Sequence, residues 1–320
     1  MIYLFFIAGF FLLVKGAKWL VAGASLIARW LGISELVIGL TIVSMGTSMP
    51  ELTVNLLASF KGNADIAIGN VLGSNIANVL LILGATAAIS ALPVKRSTLI
   101  NEIPFSLAAA LLIGFVANAA IGGNGIKQLE INRIEGGIIL FFFLLFLAYT
   151  YDLSKQTTLD EEAPVRDPSE SWWKAASGII GGAIGLFLGG KWVVDGAIHI
   201  ATLIGMSEAF IGLTVVAIGT SLPELVTSVV AARHNNVDIA IGNVVGSNIF
   251  NMLFILGVSA SVRALPFHDV SNTDLMVVVF SSTLLIIALI TTRKMHITRL
   301  HGFAFVALYV IYLSYLVSRG

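Results

Sequence analysis

The chain has 320 residues, 57% of them hydrophobic and only 11% charged, with a mean hydropathy of +0.96. A soluble domain carries about 25% charged residues, so a water-soluble globule is excluded and the composition reads as a polytopic membrane protein. The net charge is zero and cysteine is absent, which leaves no footprint for nucleic acid and removes disulfides, thiolate metal sites and cysteine nucleophiles.

In chain order, hydropathy predicts ten helices able to cross a bilayer. Their cores are 2–28, 36–60, 66–91, 103–120, 136–151, 174–201, 209–232, 239–262, 274–292 and 302–318. The run Ile2–Val14 has the length of a secretory leader. Its apolar character continues past Lys15 and Lys18 to Trp30 without a small-residue cleavage site, so it reads as the first span. Strands of a β-barrel would be shorter and would alternate in polarity. The polar, acidic stretch 152–171, with two prolines, reads as a linker. The expected organisation is therefore an N-terminal five-helix repeat (1–151), a cytoplasmic linker (152–171) and a C-terminal five-helix repeat (172–320). Lysines and arginines favour one set of loops about two to one, which places both termini outside a cell membrane.

The two halves repeat. Shifted by 173 residues, Ser34–Pro93 matches Ser207–Pro266 at 35 of 60 positions. The strongest block is DIAIGNVLGSNIANVLLILG (65–84) against DIAIGNVVGSNIFNMLFILG (238–257). Five spans per half is an odd number, so the second half enters the membrane from the opposite face. Inverted repeats are a recurrent plan of secondary transporters, with the substrate site at the midplane where the repeats meet.

The second and seventh spans carry GTSMPEL (46–52) and GTSLPEL (219–225). Proline has no N–H, so Pro50 and Pro223 deprive the carbonyls of Gly46 and Gly219 of their helical partners. Freed carbonyls at membrane depth must be satisfied by protein, water or a bound ion. Glu51 and Glu224 add carboxylates mid-span. Ser44, Ser48, Glu51 and Asn55 follow i, i+4, i+7, i+11 and share one helix face; Ser221, Glu224 and Ser228 repeat this, with Ala217 in place of Ser44. The third span offers Asn70, Ser74 and Asn78 on one face, and the eighth Asn243, Ser247 and Asn251. All these donors are hard oxygens, suited to Ca²⁺ or Na⁺ rather than copper or zinc.

Bland readings exist for several of these features. Small-residue patterns such as GxxxS serve helix packing, a membrane proline is commonly a plain kink, and mid-span serines bond their own backbone. An intramembrane glutamate is different, being functional by default. Two of them, each beside a proline at equivalent repeat positions, outweigh the bland reading. Lys18 and Lys191 lie off-centre in their spans and read as snorkelling rather than as counter-ions for the glutamates. Two facing carboxylates repel; a divalent cation, several monovalent ones or a proton relieves this. Asp65 and Asp238 open their helices and read as dipole or cap partners.

These motifs resemble the two alpha-repeats of the Na⁺/Ca²⁺ exchangers of the cation/Ca²⁺ antiporter superfamily, closest to the short prokaryotic members. The resemblance covers essentially the whole chain. It implies an all-α integral-membrane fold of ten helices in two inverted five-helix repeats, with alpha-repeats at about 36–91 and 209–264. It further implies that spans 2, 3, 7 and 8 enclose four cation sites. Glu51 and Glu224 would be the central Ca²⁺ ligands, with the carbonyls of Thr47 and Thr220. Na⁺ would use Ser48, Ser74, Ser221 and Ser247, with carbonyls near Ser44 and Ala217, and Asn78 and Asn251 would complete the centre. Spans 1 and 6 would form a mobile pair. Some relatives place aspartate where Asn251 stands, and asparagine here removes one negative charge and argues against K⁺ dependence. The motifs of the proton-coupled branch are not seen.

The expected function is antiport of Ca²⁺ against Na⁺ by alternating access. The ions are substrates and no cofactor is implied; membrane lipid is the other partner, and nothing marks an oligomer interface. A proton-coupled Ca²⁺ antiporter of the same fold and a cation channel are the alternatives. No nucleophile–base pairing, nucleotide motif or zinc pattern suggests an enzyme.

Overall fold

The computed structural model describes residues 1–119, 129–160, 171–206, 217–292 and 295–319. Spans 1, 3 and 4 are helices Ile2–Leu31, Ala64–Ile89 and Arg96–Ala119. Span 5 is Arg133–Asp160 and span 6 Trp172–Leu203. Spans 8, 9 and 10 are Val237–Val262, Asp269–Ile290 and Arg299–Arg319. Span 2 is two half-helices, Glu35–Thr47 and Met49–Lys61, bent by 49° at Ser48. Span 7 begins, by its predicted core, outside the described residues; its described part is Ala217–Thr220 and Leu222–Arg233. The ends agree with the hydropathy reading to within a turn or so, except at the start of span 4, which begins at Arg96 rather than 103, and in span 5. That helix runs on to Asp160, so the first nine residues of the expected linker are helical. Hydropathy registers only the apolar stretch, whereas helical hydrogen bonds continue past the membrane edge wherever the sequence tolerates them.

The molecule is apolar outside and polar within, as a bilayer requires. Phe11, Phe60, Phe115, Met276, Phe303 and many other large apolar side chains are exposed. The buried polar residues include Ser44, Thr47, Ser48, Glu51, Ser74, Asn78, Ser221, Glu224, Asn243, Ser247 and Asn251. Span 8 is 94% buried and span 3 is 72% buried, against at most 44% for the remaining unbroken spans. The two helices that carry the GSN blocks therefore form the centre. Span 8 approaches span 2 closely: a Cβ on Gly246 would meet the Leu40 carbonyl oxygen at 2.6 Å, and one on Gly242 would meet that of Leu36 at 2.9 Å.

Spans 1 and 6 lie antiparallel along a glycine seam. Gly9 faces Gly189, Gly16 faces Gly182 and Gly185, and Gly23 faces Gly178. Added Cβ atoms would stand 2.5–3.0 Å from partner backbone over most of this seam, so glycine is what brings the helices together. The aromatic pairs Tyr3–His199 and Trp30–Trp172 lie at its two ends.

Two small antiparallel clasps tie the halves together. Leu92–Pro93 pairs with His296–Ile297, and Glu130–Ile131 pairs with Leu265–Pro266. Under the 173-residue shift Leu92 corresponds to Leu265. The first clasp precedes span 4 and the second follows it, so equivalent loops of the two repeats lie at opposite membrane faces. The repeats are inverted, as the odd span count requires.

Candidate cation-binding site

The glutamates owe their setting to the breaks. Pro50 offers no N–H to Gly46, and the chain leaves the helical conformation at Ser48 (φ −85°, ψ 12°) before restarting at Met49. Ser221 repeats this geometry (φ −86°, ψ 3°) ahead of Leu222. Each glutamate thus falls in the first turn of a half-helix, where the N-terminal dipole favours negative charge. The main-chain N–H of each glutamate also lies near its own carboxylate. Across the break, Ser48 N–H still reaches Ser44 O (3.0 Å) and Leu52 N–H reaches Ser48 O (3.1 Å). Among the described residues, no main-chain N–H reaches the carbonyl of Thr47. The first half-helix accordingly ends in carbonyls with partial negative charge, which suits a cation.

The two copies cross at the centre. Ser48 donates to Glu224 Oε1 at 2.8 Å and stands 3.0 Å from Ser247 Oγ. The Thr47 hydroxyl also lies near the Glu224 carboxylate, and those of Ser74 and Thr220 lie near that of Glu51. Each carboxylate therefore has hydroxyls of other helices beside it, and the two lie within each other's field. Both side chains are 1% exposed. Thr47 Oγ1 lies 2.9 Å from Asn243 Oδ1. Asn243 in turn donates to Ser228 Oγ (2.9 Å) and to the Glu224 carbonyl (3.3 Å). Asn70 makes the equivalent bonds in the first repeat, to Asn55 Oδ1 (2.5 Å) and the Glu51 carbonyl (3.4 Å).

Among the described residues ten buried side-chain oxygens lack a hydrogen-bond partner, and five of them belong to the site residues singled out in the sequence. These are Glu51 Oε2, Glu224 Oε2, Asn78 Oδ1, Asn251 Oδ1 and Ser221 Oγ. An unpaired buried acceptor costs about 1–3 kcal/mol, and more when charged. All five belong to the motif blocks, and together they carry two negative charges. Hard oxygens of this kind are the ligands that Ca²⁺ and Na⁺ accept. Neither motif lysine compensates them: Lys191 pairs with Asp195 at 2.7 Å, and Lys18 lines a crevice against the seventh span.

Most of the residues singled out in the sequence meet here. Ser44 is an exception in one respect: its hydroxyl is spent on the carbonyls of Leu40 (2.8 Å) and Thr41 (3.1 Å). Its own carbonyl receives Ser48 N–H and, at 3.2 Å, the Thr47 hydroxyl. Ala217 is the first residue of the described helix Ala217–Thr220, and its side chain lies outside the described residues. Asp65 and Asp238 do open their helices; they also pair with His268 (3.5 Å) and Lys95 (3.2 Å).

Two features went unread in the sequence. Asn248 Oδ1 accepts the Asn78 amide N–H at 2.9 Å, which turns the Asn78 oxygen away from that bond. In addition, a wide i→i+5 turn runs over Asn78–Leu83, and another over Phe250–Ile255. Such turns cluster at functional sites, and these begin at or one residue before the paired asparagines. The recurrence of Asn75 and Asn248 in GSN was the available signal for the first. Nothing in the residue pattern marks the second.

The family model for the sodium/calcium exchanger protein matches residues 1–151 and 174–318. The chain belongs to the sodium/calcium exchanger family. It is 33% identical to the sodium/calcium exchanger MaX1 of Methanosarcina acetivorans, over 97% of both chains. It is 37% identical to the inner membrane protein YrbG of Escherichia coli, over 80% of this chain and 78% of that one. The solved structure of the sodium-calcium exchanger NCX_Mj superposes with a TM-score of 0.79 at 34% identity, covering 97% of this chain and 96% of that one. The exchanger's ten-helix inverted-repeat fold is thus the fold of this chain.

Proposed function

We propose that the chain is a secondary antiporter that exchanges Ca²⁺ for Na⁺ by alternating access, with its ion sites where spans 2, 3, 7 and 8 cross. The observation that carries the site assignment is the set of five buried, unpartnered oxygens around Glu51 and Glu224. In this reading Ca²⁺ takes the two carboxylates, the Thr47 and Thr220 carbonyls and the Asn78 and Asn251 amides. Na⁺ takes positions among Ser48, Ser74, Ser221 and Ser247, with carbonyls near Ser44 and Ala217. One Ca²⁺ or two Na⁺ neutralises the carboxylate pair, so the ions compete. The ion-free protein retains two bare charges at membrane depth, which disfavours movement and prevents leak.

The same reading takes 1–151 and 172–320 as the two repeats. It places the protein in the cell membrane with both termini outside, on the lysine and arginine bias of the loops. The identity with an inner membrane protein supports that location. The test is radiolabelled Ca²⁺ uptake into proteoliposomes under outward Na⁺, K⁺ and H⁺ gradients in turn. Uptake driven by Na⁺ is expected; uptake driven only by a pH gradient overturns the coupling. Glu51→Gln keeps the size and removes the charge, so a folded protein without exchange is expected. Full Ca²⁺ transport in that variant overturns the site.

A further inference from the structure

Position 18 breaks the repeat. Lys18 and Lys191 correspond under the 173-residue shift, in GAKW and GGKW. Lys191 is neutralised on its own helix by Asp195, at 2.7 Å. The counterpart of Asp195 is Ala22, so Lys18 lacks that carboxylate, and no other described acid pairs with it. A cation within a membrane span is costly unless it is compensated or snorkels to an interface.

Lys18 lines a crevice of about 390 Å³ between span 1 and the Leu222–Arg233 half of span 7. Val14, Val226 and Val229 wall it, and Arg233 and His234 stand at its polar end. Arg233 closes the last turn of its helix, and among the described residues no acid pairs with it either. Val14 and the neighbouring Trp19 are 44% and 50% exposed, so this face of span 1 is turned to lipid. The crevice thus combines an apolar wall, two uncompensated cations and access from the bilayer. A cation path is a poor use of it, because Lys18 and Arg233 repel cations. A zwitterionic lipid would bring its own positive charge to the same place.

We propose that this crevice binds one anionic phospholipid of the surrounding bilayer. The phosphate lies between Lys18 and Arg233, and an acyl chain runs along the valines. The site is distinct from the ion-binding centre and, among the described residues, is not repeated at Lys191, where Asp195 supplies the counter-charge.

The test is lipid retention by the full chain, purified in detergent, exposed to equal amounts of phosphatidylglycerol and phosphatidylcholine and read by native mass spectrometry. The wild type is expected to retain phosphatidylglycerol in preference. Lys18→Gln and Arg233→Gln should each lower that preference about fivefold, the effect of one basic residue at an anionic lipid surface. Lys18→Arg should keep it, and Lys191→Gln should leave it unchanged. Equal retention of the two lipids by the wild type overturns the proposal. So does an unaltered preference in Lys18→Gln, an equal loss in Lys18→Arg, or the same loss in Lys191→Gln.

Discussion

Ser48 and Ser221 are equivalent in sequence but not in surroundings. Ser48 is engaged with Glu224 and Ser247, whereas the Ser221 hydroxyl has no partner. The two should therefore separate stability from ion binding. Ser48→Ala leaves Glu224 Oε1 short of a donor and should destabilise the ion-free protein by about 1–3 kcal/mol. Ser221→Ala should leave the ion-free melting temperature nearly unchanged and reduce the shift produced by added Na⁺. Thermal unfolding in detergent, with and without Na⁺, measures both; a fall in ion-free stability for Ser221→Ala as large as that for Ser48→Ala would count against the assignment. The main ligand candidates were legible at this scale, because a carboxylate beside a proline in an apolar run has few structural uses. The role of Asn248 was not. Which atom of the Asn78 amide faces the centre depends on a bond to the other repeat, and helical periodicity within one repeat says nothing about that.

At the scale of the element, the broken helix matters more than the kink that its proline suggests. The sequence shows that Pro50 withholds one hydrogen bond. The structure adds that the chain restarts at Met49, which puts Glu51 in the first turn of a new helix and leaves the preceding half to end in free carbonyls. Pro50→Ala restores the N–H opposite Gly46 and lets the two halves join. The ion-free protein should be as stable as the wild type or more so. Its Ca²⁺ affinity should fall about tenfold or more, since a dipole contribution and a carbonyl ligand are lost together. Calcium titration by isothermal calorimetry checks this, and unchanged affinity would remove the break from the account. The span positions were readable because long apolar runs are a strong signal. The two-residue clasps were not, because a strand that short has no periodicity to detect. The wide turns escaped for a related reason: they alter hydrogen bonding without altering composition.

For the molecule as a whole, the inverted architecture was legible from a repeat and an odd count. The pairing of spans 1 and 6 was implied only by the family resemblance, because their halves match weakly outside GAKW and GGKW and helix pairing leaves no local mark. The seam makes that pair a unit. A side chain at Gly182 would meet the backbone of Leu20 at 2.5 Å, and backbone yields less readily than a side-chain tip. Gly182→Val should cost about 1–3 kcal/mol through overpacking and lower the melting temperature. Gly181→Val, one residue away at a position with open space around the built Cβ, should be nearly neutral. Equal melting temperatures for the two variants would show that the seam does not hold the pair.

Where the pair meets the rest of the protein, its polar fastening is local. Ser25 donates to Glu35 at 2.8 Å and receives the amide of Asn236 at the Arg233 end of the molecule. Its repeat counterpart, Ile198, has no hydroxyl to offer. The clasps, by contrast, join loops of opposite halves at both rims, through bonds such as Val94 N–H to Met295 O (2.9 Å) and Phe267 N–H to Leu129 O (2.8 Å). Spans 3, 4 and 5 are thereby laced to spans 8, 9 and 10 above and below the ion centre. A motion that parted the two halves like jaws would tear both lacings; a translation of the glycine-seamed pair would tear neither. In the proposed reading the laced spans would serve as a stator and the glycine-seamed pair as a slider, whose position would set which side of the membrane reaches the glutamates.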